Sequence, residues 1–253
     1  MVAIVNLLAC NTYFRYEERN HFMMNKTKVN LCVLAVLAAT SLPVLAASID
    51  VKVIGTITPA ACTPMVSGGG TIDYGTIKAG SLSLDEFTAL DEKQLDLSIS
   101  CAAPAKVALK ATNNRPNTVA GATTDGAGGA SLVNIFGKSN VPIVGLGLDG
   151  THRIGGYVIK IEDSSVIADS KNVDSIYKNV GEASWTKGGE GVLYNDTAVR
   201  QVSWATSGAS EPVAFQKLTG KVTVRAYINK ASDLDLTKPV QLNGSSTIEL
   251  VYL

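Results

Sequence analysis

Few residues in this chain have the types and spacing that chemistry needs. His152 is the one imidazole left once the first 46 residues are set aside. A serine or cysteine nucleophile needs a base held by a third group, and nothing near His152 in the sequence supplies that frame. No G-x-S-x-G and no H-E-x-x-H occurs. Gly145-Leu146-Gly147-Leu148-Asp149-Gly150 matches G-x-G-x-x-G. The dinucleotide fingerprint requires a helix to follow, whose N-terminus holds the pyrophosphate. A β-type run through Tyr157, Ile159 and Ile161 follows instead, so the match reads as a strand end and a turn. Asp163, Asp169 and Asp174 do not have the spacing of a calcium loop. Trp185 and Trp204 could stack on sugars, and sandwich aromatics explain them more cheaply. The expectation is a protein with no catalytic residues, no metal site and no cofactor.

Cysteine is the exception. Of four cysteines, Cys10 and Cys32 fall in the segment expected to be removed, leaving Cys62 and Cys101, 39 positions apart. An even pair in an exported chain is most simply a disulfide. Closing a loop of that length stabilises by roughly 4 kcal/mol on the chain-entropy model. A zinc site would need more Cys or His close by.

The export reading rests on Met24-Asn25-Lys26-Thr27-Lys28, a short basic region, followed by the apolar run Leu31 to Leu42. That run is too short to span a bilayer. Val44-Leu45-Ala46 suits signal peptidase, with cleavage before Ala47; the competing reading is an uncleaved membrane anchor. Residues 24–46 are therefore expected to be a signal peptide, with Met24 the true start and residues 1–23 a mis-assigned extension. From Ala47 on, 18 basic residues face 20 acidic ones, which makes no electrostatic case for nucleic acid or acidic lipid.

The elements that would position any site are strands. Glycine, Val, Ile and Thr are frequent and charge is sparse, which suits an all-β protein, and about 207 residues can form one large sandwich. Ile49, Val51, Val53, Gly55 and Ile57 alternate with Asp50, Lys52 and Thr56, a strand pattern broken only by Ile54. Strands are also expected at 71–77, at 95–101 with Leu95, Leu97, Ile99 and Cys101 facing inward, and at 107–111, with Pro104 breaking the run before the last. Further strands are expected at 141–148 and 154–162 around the hairpin signal Asp149-Gly150, and at 192–194, 199–205, 213–215, 217–229 and 245–253. Ser81 to Leu90 reads as a short helix or an irregular crossover. Residues 113–131 and 163–174 read as loop, the former too small and polar to pack. This amounts to nine or ten strands and almost no helix, hence a β-sandwich.

In order and spacing these features resemble a subunit of a chaperone–usher pilus. They are a signal peptide, an N-terminal alternating strand, a cysteine just after it, a second about forty residues on, and a last strand with Tyr252 penultimate. The stretches Ile72-Asp73-Tyr74-Gly75-Thr76-Ile77, Leu95-Asp96-Leu97-Ser98-Ile99-Ser100-Cys101 and Ala103-Pro104-Ala105-Lys106-Val107 also resemble a fimbrial-like family of Gram-negative bacteria otherwise described as a domain of unknown function. The resemblance covers most of Ala47 to Leu253. It implies an immunoglobulin-like β-sandwich of pilin type lacking its final strand, with residues 47–61 as a donor strand and 62–253 as the body. The donor strand, through Ile49, Val51, Val53, Gly55 and Ile57, would fill the groove of a neighbouring subunit. Ile248, Leu250, Val251 and Tyr252 would form the acceptor groove and the chaperone-recognition strand. The implied partners are neighbouring pilus subunits, a periplasmic chaperone and an outer-membrane usher, with a host or surface glycan as receptor. The implied location is the periplasm, then the cell surface.

Two departures mark a minor or specialised subunit. The chain is long for a major pilin, and Val240 stands where pilins commonly carry glycine, the nearest being Gly244. The competing reading from a different class is a carbohydrate- or surface-binding β-sandwich, at a pilus tip or free in the periplasm.

Overall fold

The computed structural model describes residues 49–253, apart from Pro59, Val133 and Ser139. The expected extension, signal peptide and cleavage site lie outside the described residues. Residues 49–58 form no strand. The compact unit that contains every assigned element spans Gly55–Leu253.

The strands are, in order, β1 (Cys62–Val66), β2 (Thr88–Ala89), β3 (Lys93–Ala105), β4 (Val107–Asn113), β5 (Ala130–Leu132), β6 (Val141–Gly145), β7 (Leu148–Asp149) and β8 (His152–Arg153). There follow β9 (Gly155–Ile161), β10 (Ile167–Ala168), β11 (Lys171–Asn179), β12 (Thr186–Lys187), β13 (Arg200–Thr206), β14 (Phe215–Ile228) and β15 (Ser246–Tyr252). Among the described residues the only helical pieces are four short 3-10 turns. Every strand pairing in the ladders is antiparallel.

The main ladder runs β15-β4-β13-β11-β10-β14-β9-β6-β5, with β1 and β3 continuing from β14. β10 pairs with both β11 and β14, so one continuous sheet turns a corner there. On either side of that corner the inward faces meet. Leu97, Ile99, Val222, Val224, Ile159 and Ile161 pack in one apolar cluster with Val107, Leu109, Val202 and Trp204. This all-β, antiparallel arrangement is consistent with a β-sandwich.

The period-two pattern holds where it is cleanest. Leu97 and Ile99 are buried on β3 while Asp96 and Ser100 are exposed. Val222, Val224, Ala226 and Ile228 share the core face of β14. Its other face is covered too, because Tyr227 anchors a second apolar cluster with Val119, Ile143 and Val158.

Several expectations change. Residues 71–77 join no sheet. The Asp73 carboxylate accepts the Gly75 N–H at 2.7 Å and Gly75 has φ +63°, a local turn that breaks the pleat. Pro104 does not end a strand, since β3 runs through it to Ala105 beside the bulge that separates Phe215 from Lys217 on β14. Ser81–Leu90 is the irregular crossover, with β2 at its end.

Residues 171–179, of which 171–174 read as loop and the rest as no strand, form β11, and residues 113–131, read as unable to pack, hold buried Thr118, Val119, Ala120, Asp125 and Ala130. Gly129 makes the second packing feasible. At φ +85° it lies so close to the Ile143 carbonyl that a Cβ there would come within 2.1 Å of the oxygen.

Candidate functional site: a groove beside the last strand

Among the described residues β15 is bonded to a strand on one side only, in register Ser246↔Asn113, Ile248↔Ala111, Leu250↔Leu109 and Tyr252↔Val107 with β4. Alternation sets its faces. Ile248 and Leu250 are half-buried against the core, and Thr247 and Glu249 face solvent, with Glu249 paired to Lys110 at 2.7 Å.

A groove of about 1370 Å³ opens beside this strand. Its lining includes Ile159 of β9 and Val222, Val224, Ala226 and Ile228 of β14. Residues 69–77, with Ile72, Tyr74 and Ile77, contribute a second stretch, and residues 234–246 a third. Apolar side chains make up most of its lining, in contrast with the close packing of a protein interior. Leu234 and Leu236, then Val240 and Leu242, are half-buried on alternate positions and line it. They are the groove residues the sequence reading missed, and their alternation was the available signal.

Three tyrosine hydroxyls in and next to the groove face polar partners. The Tyr194 hydroxyl donates to Ser246 Oγ at 2.5 Å, and Tyr157 Oη lies 2.6 Å from the same atom. Burial pushes both phenols above their ordinary pKa. Tyr74 is raised as well, chiefly by burial, with its hydroxyl directed at the Val224 carbonyl. These tyrosines therefore stay neutral. The site offers unpaired backbone and apolar surface for binding, and it holds no nucleophile–base pair.

The sequence-predicted residues distribute as follows. Cys62 and Cys101 are register partners on β1 and β3 and form a disulfide with an S–S distance of 2.07 Å. Ile248 lines the groove, while Leu250, Val251 and Tyr252 lie beyond its lining. Tyr252 is 42 % exposed, and its Oη accepts the Cys62 N–H at 2.7 Å. It thereby ties the last strand to the first residue of β1. Ile49, Val51, Val53 and Ile57 are 89, 83, 94 and 99 % exposed. A Cβ at Gly55 would meet nothing within 4 Å.

The discounted motifs also have places. Gly150 sits at the β7–β8 turn with φ +61°, and β8 and β9 follow it. His152 is exposed and borders a separate cavity of about 530 Å³ with Phe87, Arg153 and Lys230. Asp169 accepts the Gln216 and Lys217 N–H groups, and Asp174 accepts the Ser207 hydroxyl and the Gly208 N–H. The two aspartates thus act as local loop ties. Trp204 is fully buried, edge-on to Phe215 at 6.0 Å, whereas half-buried Trp185 lies under the Lys178 ammonium at 5.0 Å. Among the described residues no group of three His, Cys, Asp or Glu could hold a metal ion.

Residues 51–155 match the family model described as "Protein of unknown function (DUF1120)". The chain is similar to Protein GltF of Escherichia coli (strain K12), 25 % identical over 253 residues that cover 92 % of this chain and 99 % of that protein. It is also similar to the uncharacterized protein YhcF of the same organism, 26 % identical over 244 residues, covering 91 % of this chain and all of the relative. The likeness therefore runs nearly end to end.

Proposed function

We propose that this chain is a structural subunit of a surface pilus that polymerises by donor-strand exchange. On this reading the body is an immunoglobulin-like sandwich of pilin type whose groove takes the place of a missing final strand. Residues 47–61 form the donor strand for the next subunit. The observation that carries the proposal is the apolar groove at the one-sided edge of β15. An unpaired edge over apolar surface is an aggregation hazard that exported proteins keep covered, and β-strand addition covers it.

The chain also carries a matching occupant in type. Ile49, Val51, Val53 and Ile57 alternate and are exposed. Burying them contributes roughly 1.5–3 kcal/mol each, and the ladder hydrogen bonds add about 1 kcal/mol each. Sums of that size rival the stability of a small domain. A periplasmic chaperone would hold the groove before assembly, and an outer-membrane usher would be the site of exchange.

The test is deletion of Ser48–Thr58 in cells that express the neighbouring gene products. The expected outcome is a folded, chaperone-bound subunit with no heat-stable ladder of multimers. Normal fibres from the deletion would refute the proposal. A stable free monomer with saturable glycan binding would instead favour a carbohydrate-binding module.

A further inference from the structure

The rim of the groove carries the chain's single Asn-Gly pair, Asn243-Gly244. Both residues are exposed and lie outside helix and strand, and Gly244 lines the groove. Among the described residues nothing accepts the Gly244 N–H, although the neighbouring Asn243 N–H is donated to the Leu146 carbonyl at 3.0 Å. Glycine has no side chain to obstruct its own amide nitrogen. The nitrogen of residue 244 is therefore uncommitted and carries no side chain of its own next to a side-chain amide, in a site where a Cβ on Gly244 would come within 2.7 Å of the Tyr157 ring and 3.0 Å of Leu146.

One contact restrains that amide. Arg115 Nη2 donates to Asn243 Oδ1 at 3.0 Å, and its Nε donates to the Asn243 main-chain carbonyl at 3.1 Å. A planar guanidinium holding both oxygens of one residue fixes the side chain relative to its own backbone. Arg115 is itself fastened. Its N–H is donated to Asn113 Oδ1, and its carbonyl accepts from Thr118 Oγ1.

We infer that Asn243-Gly244 is a spontaneous deamidation site whose rate is set by the Arg115 clasp. In the first step Gly244 N attacks Asn243 Cγ. The N–Cγ bond forms, the Cγ–Nδ2 bond breaks, and ammonia leaves with the proton from the Gly244 amide. Water then opens the succinimide. Addition at Cγ returns an aspartate at 243. Addition at the main-chain carbonyl gives a β-linked isoaspartate, which lengthens the backbone by one carbon between Leu242 and Gly244. Both of those residues line the groove. The β-linked product therefore deforms the groove wall and weakens its occupant, a consequence that rests on the reading of the groove as an acceptor.

The test is to age the purified protein at mildly alkaline pH and read the masses of its proteolytic peptides. The expected result is replacement of –NH2 by –OH at Asn243 ahead of every other asparagine. Arg115→Ala and Arg115→Lys should accelerate it several-fold, the latter serving where the former fails to fold, and Asn243→Gln should abolish it. A free peptide of residues 240–247 gives the unrestrained rate, which should exceed that of the intact protein. An unmodified Asn243 in aged protein would overturn the assignment, and unchanged rates in folded Arg115 variants would overturn the gating. The groove consequence is read separately, by binding of a peptide of residues 48–58 to fresh and aged protein. Deamidation with undiminished binding would remove that consequence alone. Absence of binding to fresh protein would overturn the acceptor reading and leave the modification standing.

Discussion

At the scale of single residues, the junction between the first and last strands is where sequence and structure make the sharpest claim. Tyr252 Oη accepts the Cys62 N–H, and Cys62 is bonded to Cys101. Tyr252→Phe removes one partly exposed hydrogen bond and is expected to lower unfolding free energy by about 1 kcal/mol, read from urea denaturation. Replacing both cysteines by alanine is expected to cost roughly 4 kcal/mol. The two changes should not add, because the disulfide holds the donor that Tyr252 uses. In the disulfide-free background the Tyr252→Phe cost should fall toward zero.

A second residue has a pH signature. Asp163 Oδ1 has no well-formed hydrogen bond, and burial raises its pKa, with nearby Ser175 opposing only in part. The folded state therefore binds this proton more tightly than the unfolded chain does. The resulting penalty is absent below the ordinary aspartate range and grows as pH rises through the shifted value. Asp163→Asn should raise the unfolding midpoint at neutral pH, and the gain should vanish in acid. A gain that persists unchanged at low pH would rule out this cause.

At the scale of elements, Ile248 tests whether β15 is a binding edge. It lines the groove yet is only half-buried, on a strand paired on one side. Ile248→Asp should leave the body folded, at a cost of up to about 2 kcal/mol. It should weaken a groove-filling peptide at least about tenfold, equivalent to 1.4 kcal/mol, as measured by calorimetry. Equal peptide affinity in the variant would place the binding surface elsewhere.

The elements also show what a sequence can and cannot display. β3 and β14 were legible because, apart from Thr223, their buried side chains are apolar and their ladders are long. β11 was not. Its inward face is Val173, Ser175 and Tyr177, and a buried serine there, with apolar Ile176 buried on the opposite face, erases the alternation. Thr71–Ile77 showed the opposite error. Its alternation is real, and Ile72, Tyr74 and Ile77 do pack on the core, but the Asp73–Gly75 turn denies it a ladder. The cysteine pair and the last strand were read from spacing and pattern, and a groove beside that strand only from the family resemblance. The alternation of Leu234, Leu236, Val240 and Leu242 was there to be read, but that they share a lining with Leu146 and Tyr157 follows only from tertiary contact.

At the scale of the whole molecule, the open apolar groove bears on the stability of the chain. Apolar groups exposed along an open groove forgo both dispersion contacts and release of water, so the free chain should sit low in the usual stability range. Anything that binds only the folded form raises its apparent stability by mass action. A synthetic peptide of residues 48–58 is the direct probe, since it carries Ile49, Val51, Val53 and Ile57 without the constraint of a chain. At one hundred times its dissociation constant it should add about 2.7 kcal/mol, seen as a thermal midpoint that climbs with peptide concentration. A peptide with Val53→Asp keeps the backbone donors and acceptors and loses a central apolar contact, so its effect should be much smaller. The same midpoint with and without peptide, or equal shifts from both peptides, would mean that the groove does not select an alternating apolar strand. The comparison also separates the two contributions to strand addition. A residual shift with the Val53→Asp peptide measures what the β15 edge contributes through hydrogen bonds, and the difference measures what the groove contributes through burial.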